Sequence, residues 1–255
     1  MDIRVFEDNL ELDTAAARLI ADLVTTKPNA VLGLATGSTP IGIYRSLVEL
    51  SNKESISYKE VSSYNLDEYV GLTPDNDQSY AYYMNEHLFS KIDIPLNQTH
   101  LPDGMASHLD AFCNKYDRML EGARVDLQLL GLGHNGHIGF NEPASELSAG
   151  THVVTLDEAT REANARFFAS IDEVPTQAVT MGVGSILKAE RILLVVRGAD
   201  KASIVRRALT GPVTTDCPAS LLQLHARVTV LLDREAASLL AKGGNEGCNN
   251  FASAM

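Results

Sequence analysis

Short apolar runs recur along the 255-residue chain, separated by stretches long enough for an amphipathic helix. IRVF (3–6), AVLGLA (30–35), VSSYNL (61–66), VDLQLL (125–130), THVVTL (151–156), AVTMGV (178–183), RILLVV (191–196) and RVTVLL (227–232) are rich in aliphatic and β-branched residues, which predicts strands. Between them, LDTAAARLIADLV (12–24) and ADKASIVRRAL (199–209) repeat apolar residues with the helical period. The alternation predicts an α/β fold: a single doubly wound, mostly parallel sheet with helices on both faces, Rossmann-like in outline. No linker, repeat or composition break divides residues 1–241, which are expected to form one domain. In the tail KGGNEGCNNFASAM (242–255) periodicity disappears and Gly and Asn dominate, so loose order is expected there.

Composition narrows the possible partners. A formal net charge of -12 without clustered Lys and Arg argues against a nucleic-acid surface, so any anionic ligand must be held locally. The start MDIRVFEDNLELD lacks the basic and apolar regions of a signal peptide. No run approaches the roughly 18 apolar residues of a membrane span. A cytoplasmic protein without a membrane partner is therefore expected. Cys113, Cys217 and Cys248 are odd in number and widely spaced, which predicts buried or idle thiols rather than a disulfide framework or zinc knot.

In doubly wound sheets ligands bind beyond the carboxyl ends of the strands, so the segments after each strand carry the candidate chemistry. TGSTP (36–40) follows AVLGLA. Its glycine permits a tight turn, Pro40 can open a helix, and helix-terminal N–H groups with Ser38 and Thr39 would cradle a phosphate. An ordinary capped turn reads the same way, and the loop is neither GxGxxG nor a Walker loop. DEYVGL (67–72) follows VSSYNL. Adjacent residues point apart, so Asp67 and Glu68 are not a catalytic pair: either both acids sit at a loop or helix start, or one is a base and the other structural.

GLGHNGHIGFNEP (131–143) follows VDLQLL and carries the densest set of polar groups. Its glycines let backbone approach a ligand, while Asn135 and Glu142 flank His137 and could orient or polarise its imidazole. A histidine capping its own loop is the plainer alternative. A metal site on His134, His137 and Glu142 is another, although HNGH in a glycine loop lacks the helical spacing of HExxH. Arg166 in ANARFF and Lys201 in RGADKAS are candidates to neutralise a phosphate in an acidic chain, though either could equally be an ordinary exposed cation.

LGLATGSTP, NLDEYVGL, GLGHNGHIGFNEPAS, ANARFF and PASLLQLH together resemble, in order and spacing, the glucosamine-6-phosphate deaminase (glucosamine-6-phosphate isomerase) family over nearly the whole chain to about residue 238. The 6-phosphogluconolactonases share the general fold and a similar histidine loop, but FNEP and DEYVGL look like the deaminase branch; galactosamine-6-phosphate deaminases are closer still. The resemblance implies conversion of glucosamine 6-phosphate and water to fructose 6-phosphate and ammonia, without metal or organic cofactor. By matching positions it makes Asp67 the base at C2 and His137 a proton carrier set by Asn135 and Glu142. Thr36, Gly37, Ser38, Thr39, Arg166 and Lys201 would then bind phosphate, with a mobile lid over about 156–178. In allosteric members a serine and two basic residues hold N-acetylglucosamine 6-phosphate at a subunit interface. Here the matching positions are Ser145, His152 and Val154. A homo-oligomer, a sugar-phosphate hydrolase of the lactonase kind and a catalytically silent sugar-phosphate sensor remain open at this point.

Overall fold

A computed structural model describes residues 1–240; the tail at 242–255, together with Cys248, lies outside them. The elements run β1 (Asp2–Phe6), α1 (Asn9–Thr26), β2 (Val31–Leu34), α2 (Pro40–Glu54), β3 (Ser62–Asn65), β4 (Asp67–Tyr69), α3 (Tyr80–His87), β5 (Thr99–His100) and α4 (Leu109–Ala123). They continue with β6 (Leu127–Leu130), β7 (His152–Thr155), α5 (Glu158–Asn164), β8 (Gln177–Thr180), α6 (Val183–Leu187), β9 (Ile192–Val196), α7 (Ala202–Thr210) and β10 (Val228–Asp233).

Seven strands form a parallel sheet in the order β1-β10-β9-β6-β2-β3-β5. Every residue of β6 and β9 is buried, so both sheet faces are covered at its centre, as the apolar run ILLVV and the largely apolar LQLL require. The chain adds β3 and β5 on one side of β2 and then returns to place β6 on the other. The strand order therefore reverses between β2 and β6, where the loops after their carboxyl ends part to leave a crevice.

The expected single sheet needs one correction. The runs at 151–156 and 178–183 do form strands, but β7 and β8 pair antiparallel with each other, and β8 with β4, in a separate three-stranded sheet. The strand that begins as β3 in the large sheet continues past Leu66 as β4 in the small one. Leu66 marks the crossing, donating its N–H to Leu34 O (3.1 Å) and accepting from Met181 N (2.7 Å). Its neighbours Asp67 and Glu68 therefore lie on a strand, not in the loop or helix start expected for them.

Local chemistry sets the helix ends. Asp8 caps α1 by accepting from Glu11 N (2.9 Å), which starts the helix three residues before the apolar pattern does. Pro40 opens α2 as expected. Small residues on α1, Ala16, Ala17 and Ala21, bring α2 close. At the same interface Asp13 is buried against Gly42, where an added Cβ would stand 1.9 Å from the carboxylate. Asp13 instead receives Arg197 Nη2 (2.5 Å), and the same nitrogen donates to Thr39 O (3.1 Å). A largely buried ion pair thus ties the N-terminal part of α1 to the loops after β2 and β9. Among the described residues no helix is long and apolar enough to cross a membrane.

Candidate active site

The loops after β2, β6 and β9, the start of β4, and the segment around α5 enclose one cavity of about 550 Å³. Thr36, Gly37, Ser38 and Thr39 line one end of it with Arg166 and Lys201. The loop after β2 turns on Gly37, whose φ of 93° suits glycine. Its carbonyls are held by other groups: Gly37 O accepts the Tyr83 hydroxyl (2.7 Å) and Thr39 O accepts Arg197. Thr39 makes no side-chain capping bond at the start of α2. That leaves hydroxyls and helix-terminal N–H groups at an anion-binding end.

Lys201 enters from the other side, its Nζ donating to Leu132 O (2.9 Å). Burial lowers its pKa to about 8; Asp200 opposes that shift and the nearby charge of Arg166 adds to it. Two cations held this close in an acidic chain favour a polyanionic ligand between them.

The two neighbouring acids have opposite fates. Glu68 is buried with both oxygens occupied, accepting Tyr69 N (2.8 Å), Tyr80 N (2.9 Å) and Ala81 N (2.9 Å), so it caps α3. Asp67 is also buried, lines the cavity, and has no hydrogen-bond partner among the described residues. Burial, followed by the adjacent charge of Glu68, pushes its pKa up to about 8. One carboxylate is structural, and the other is poised to gain a proton.

The glycine loop closes tightly on itself. Gly133 N donates to His137 O (3.0 Å) and Gly136 N to Gly133 O (3.1 Å). Gly136 has φ 94° and packs on Cys217, while a Cβ on Gly133 would fall 2.3 Å from the His137 ring. Gly133 thus lets the imidazole lie against backbone, a contact that no side chain there would allow. His137 Nδ1 lies 3.0 Å from Glu142 Oε2, which also receives the Asn135 amide; Asn135 Oδ1 in turn accepts His137 N (3.1 Å). Burial alone would raise the pKa of Glu142, but the His137 contact and the donors on Thr160 and Asn135 outweigh it and bring it down to about 2. Glu142 therefore stays ionised, fixes one ring nitrogen and leaves the other for proton transfer.

His134 turns away from that pair. Its Nε2 contacts Asp200 Oδ2 (2.7 Å) with both side chains largely exposed, so the ligand set His134, His137 and Glu142 is not assembled. Cys113 and Cys217 are buried free thiols. Sequence reasoning missed Thr160, whose hydroxyl donates to Glu142 Oε1 (2.5 Å), and Tyr80, Asn164 and Arg197 on the cavity wall. Nothing local in REAN or RGAD marks them; only the tertiary fold brings them in.

Such an arrangement, at the carboxyl edge of a parallel sheet, belongs to an α/β enzyme performing acid–base chemistry on a small anionic substrate. The chain belongs to the family of glucosamine-6-phosphate isomerases and 6-phosphogluconolactonases, whose model matches residues 10–231. It is 54% identical to glucosamine-6-phosphate deaminase of Lachnoclostridium phytofermentans over 222 residues, 87% of this chain and 94% of that protein. Glucosamine-6-phosphate deaminase 1 of Bacillus subtilis is 50% identical over 240 residues, 94% of this chain and 98% of its own. A solved monomeric glucosamine-6-phosphate deaminase superposes with a TM-score of 0.92 at 50% identity, covering 94% of this chain and 100% of that one.

The split between the acids predicts opposite stability effects. Glu68→Gln sets an amide N–H against backbone N–H donors and should cost about 1–3 kcal/mol in denaturant unfolding. Asp67 keeps its proton in the fold from about pH 4 up to about 8 but loses it when unfolded, so stability falls as pH rises through that interval. Asp67→Asn should therefore melt above wild type at pH 8, with the gain vanishing near pH 4. A melting temperature below wild type at pH 8 would contradict the assignment.

Proposed function

We propose that the chain is a glucosamine-6-phosphate deaminase, converting glucosamine 6-phosphate and water to fructose 6-phosphate and ammonia. The observation that carries this reading is a buried, unpaired carboxylate, Asp67, in the same cavity as an imidazole already polarised by Glu142. A lactone hydrolase needs a proton carrier but no base at carbon, whereas an aldose-to-ketose conversion of an amino sugar needs both.

The cation end, Thr36 to Thr39 with Arg166 and Lys201, binds the phosphate. His137 moves a proton from the C1 hydroxyl to the ring oxygen, which opens the ring and makes C1 an aldehyde. Asp67 then removes the C2 proton, and the electron pair forms the C1–C2 double bond while the C1 oxygen is protonated. The resulting enolamine takes a proton back at C1, leaving an iminium at C2. Water adds to C2, and loss of ammonia gives the ketone. His137 carries the proton of ring opening and Asp67 the proton at C2, and the reading calls on no cofactor or metal.

Segment 156–178 acts as the lid in this reading, supported by its delivery of Thr160, Asn164 and Arg166 to the cavity. Arg161 Nη2 fastens its two halves through Ile171 O (2.9 Å). In this reading the enzyme works in the cytoplasm, supported by a phosphorylated substrate that does not cross membranes unaided, and the net charge of -12 supports the absence of a nucleic-acid partner.

The deciding experiment measures ammonia release from glucosamine 6-phosphate beside galactosamine 6-phosphate and 6-phosphogluconolactone. Release from the glucosamine compound is expected; preference for the galacto epimer or the lactone would transfer the chain to that branch. Asp67→Asn should retain ligand binding but lose turnover by about 10²-fold or more. Because Asp67 must be ionised and Lys201 charged, kcat/KM should rise with pH toward about 8 and fall beyond it.

Regulation should be absent. Val154 packs into the apolar cluster of Tyr69, Phe140, Leu156 and Ala178, while His152 Nδ1 is engaged by Gly150 O (2.9 Å). Neither offers the basic contact of about 1.5–3 kcal/mol that an activator phosphate would draw on. Hyperbolic substrate curves are expected, unchanged by N-acetylglucosamine 6-phosphate; a sigmoidal curve that this compound straightens would refute the expectation.

A further inference from the structure

Glu142 is reached from two directions. His137 and Asn135 contact its Oε2 and belong to the same loop, within seven residues of it. Oε1 is taken by Thr160, 18 residues later in the chain, on α5. Thr160 is buried, lines the cavity, and stands six positions before Arg166, which lies in the short 3-10 turn directly after α5. One segment therefore presents a hydroxyl to the carboxylate behind His137 and a guanidinium to the anion-binding end.

We propose that Thr160 is a positioning residue through which α5, the segment that delivers Arg166, sets the orientation of the Glu142–His137 pair. The proposal rests on reading that pair as the proton carrier. A carboxylate with donors on only one oxygen can rotate about its terminal bond; a second donor on the other oxygen fixes the plane and holds Oε2 toward Nδ1. Asp67, Tyr80, His134, His137, Arg166, Arg197, Asp200 and Lys201 are the ionisable groups on the cavity wall, whereas Glu142 stands behind it and meets the cavity through His137 and Thr160. Seating α5 over a bound phosphate thus completes the shuttle, and withdrawing α5 loosens it. Phosphate recognition and proton transfer are linked by one hydroxyl.

Two substitutions separate this role from packing. Thr160→Val keeps shape and removes the donor; Thr160→Ser keeps the donor and removes a methyl. With both variants folded by melting temperature, Thr160→Val should lose kcat for glucosamine 6-phosphate about tenfold, the size of one hydrogen bond to a charged group, with KM changed less than about twofold. The acid limb is set by Asp67 and should stay in place in both variants, because Glu142 still has His137 and Asn135 to keep it ionised far below that limb. Thr160→Ser should stay within about twofold of wild type and keep its pH profile. A proton NMR signal for the His137 Nδ1–H bonded to Glu142 should be present in wild type and Thr160→Ser, and shifted or broadened in Thr160→Val; this comparison needs no substrate. Wild-type kcat and an unchanged Nδ1–H signal in Thr160→Val would overturn the proposal, as would equal losses in both variants. If wild type releases no ammonia, the functional reading falls, and the NMR comparison alone still decides the role of Thr160.

Discussion

Burying two consecutive carboxylates is costly, and the molecule satisfies only one of them. Glu68 receives three backbone N–H donors, two of them from the exposed end of α3. Asp67 receives none from the described residues and is pushed toward the neutral form. An acid whose pKa lies near the working pH can both take and return a proton, which an ordinary surface aspartate does poorly. The strand crossing at Leu66 makes this possible. It removes the pair from solvent, turns Asp67 toward the cavity and sends Glu68 to the helix end.

The histidine loop solves the complementary problem of holding an imidazole still beside a permanent anion. Gly133 permits the close approach of backbone to the ring, and Glu142, kept ionised by its donors, sets which ring nitrogen faces the cavity. The phosphate end uses a third device. Arg197, itself on the cavity wall, pairs with the buried Asp13 and holds the Thr39 carbonyl, so a contact between the first helix and the loop after β9 braces the end of the cavity proposed to take the phosphate. All three devices sit at the carboxyl ends of strands near the reversal of strand order, which is why a parallel sheet suits them.

Much of this was legible before the fold was known. Aliphatic runs marked each central strand to within a residue or two, because β2, β6, β9 and β10 are covered on both faces and tolerate little else. The polar loops stood out for the same reason: residues unsuited to a core follow directly on core strands. What could not be read was partner choice. THVVTL and AVTMGV look like any other strands, and only their antiparallel pairing with each other, and of β8 with β4, removes them from the large sheet. DEY did not look like a strand, since the backbone donors that compensate Glu68 come from a helix end up to thirteen residues away. Thr160 carried no local signal, because a single hydroxyl on a short helix matters only for the carboxylate it reaches.

The central claim is that desolvation of Asp67 creates the carbon base. Its most direct test is a carbon-13 NMR titration of the Asp67 side-chain carboxyl in the folded, ligand-free protein, assigned by comparison with Asp67→Asn. A midpoint near 8 is expected. A midpoint near the ordinary aspartate value of about 4 would show the carboxylate to be solvated or paired, and would contradict the account.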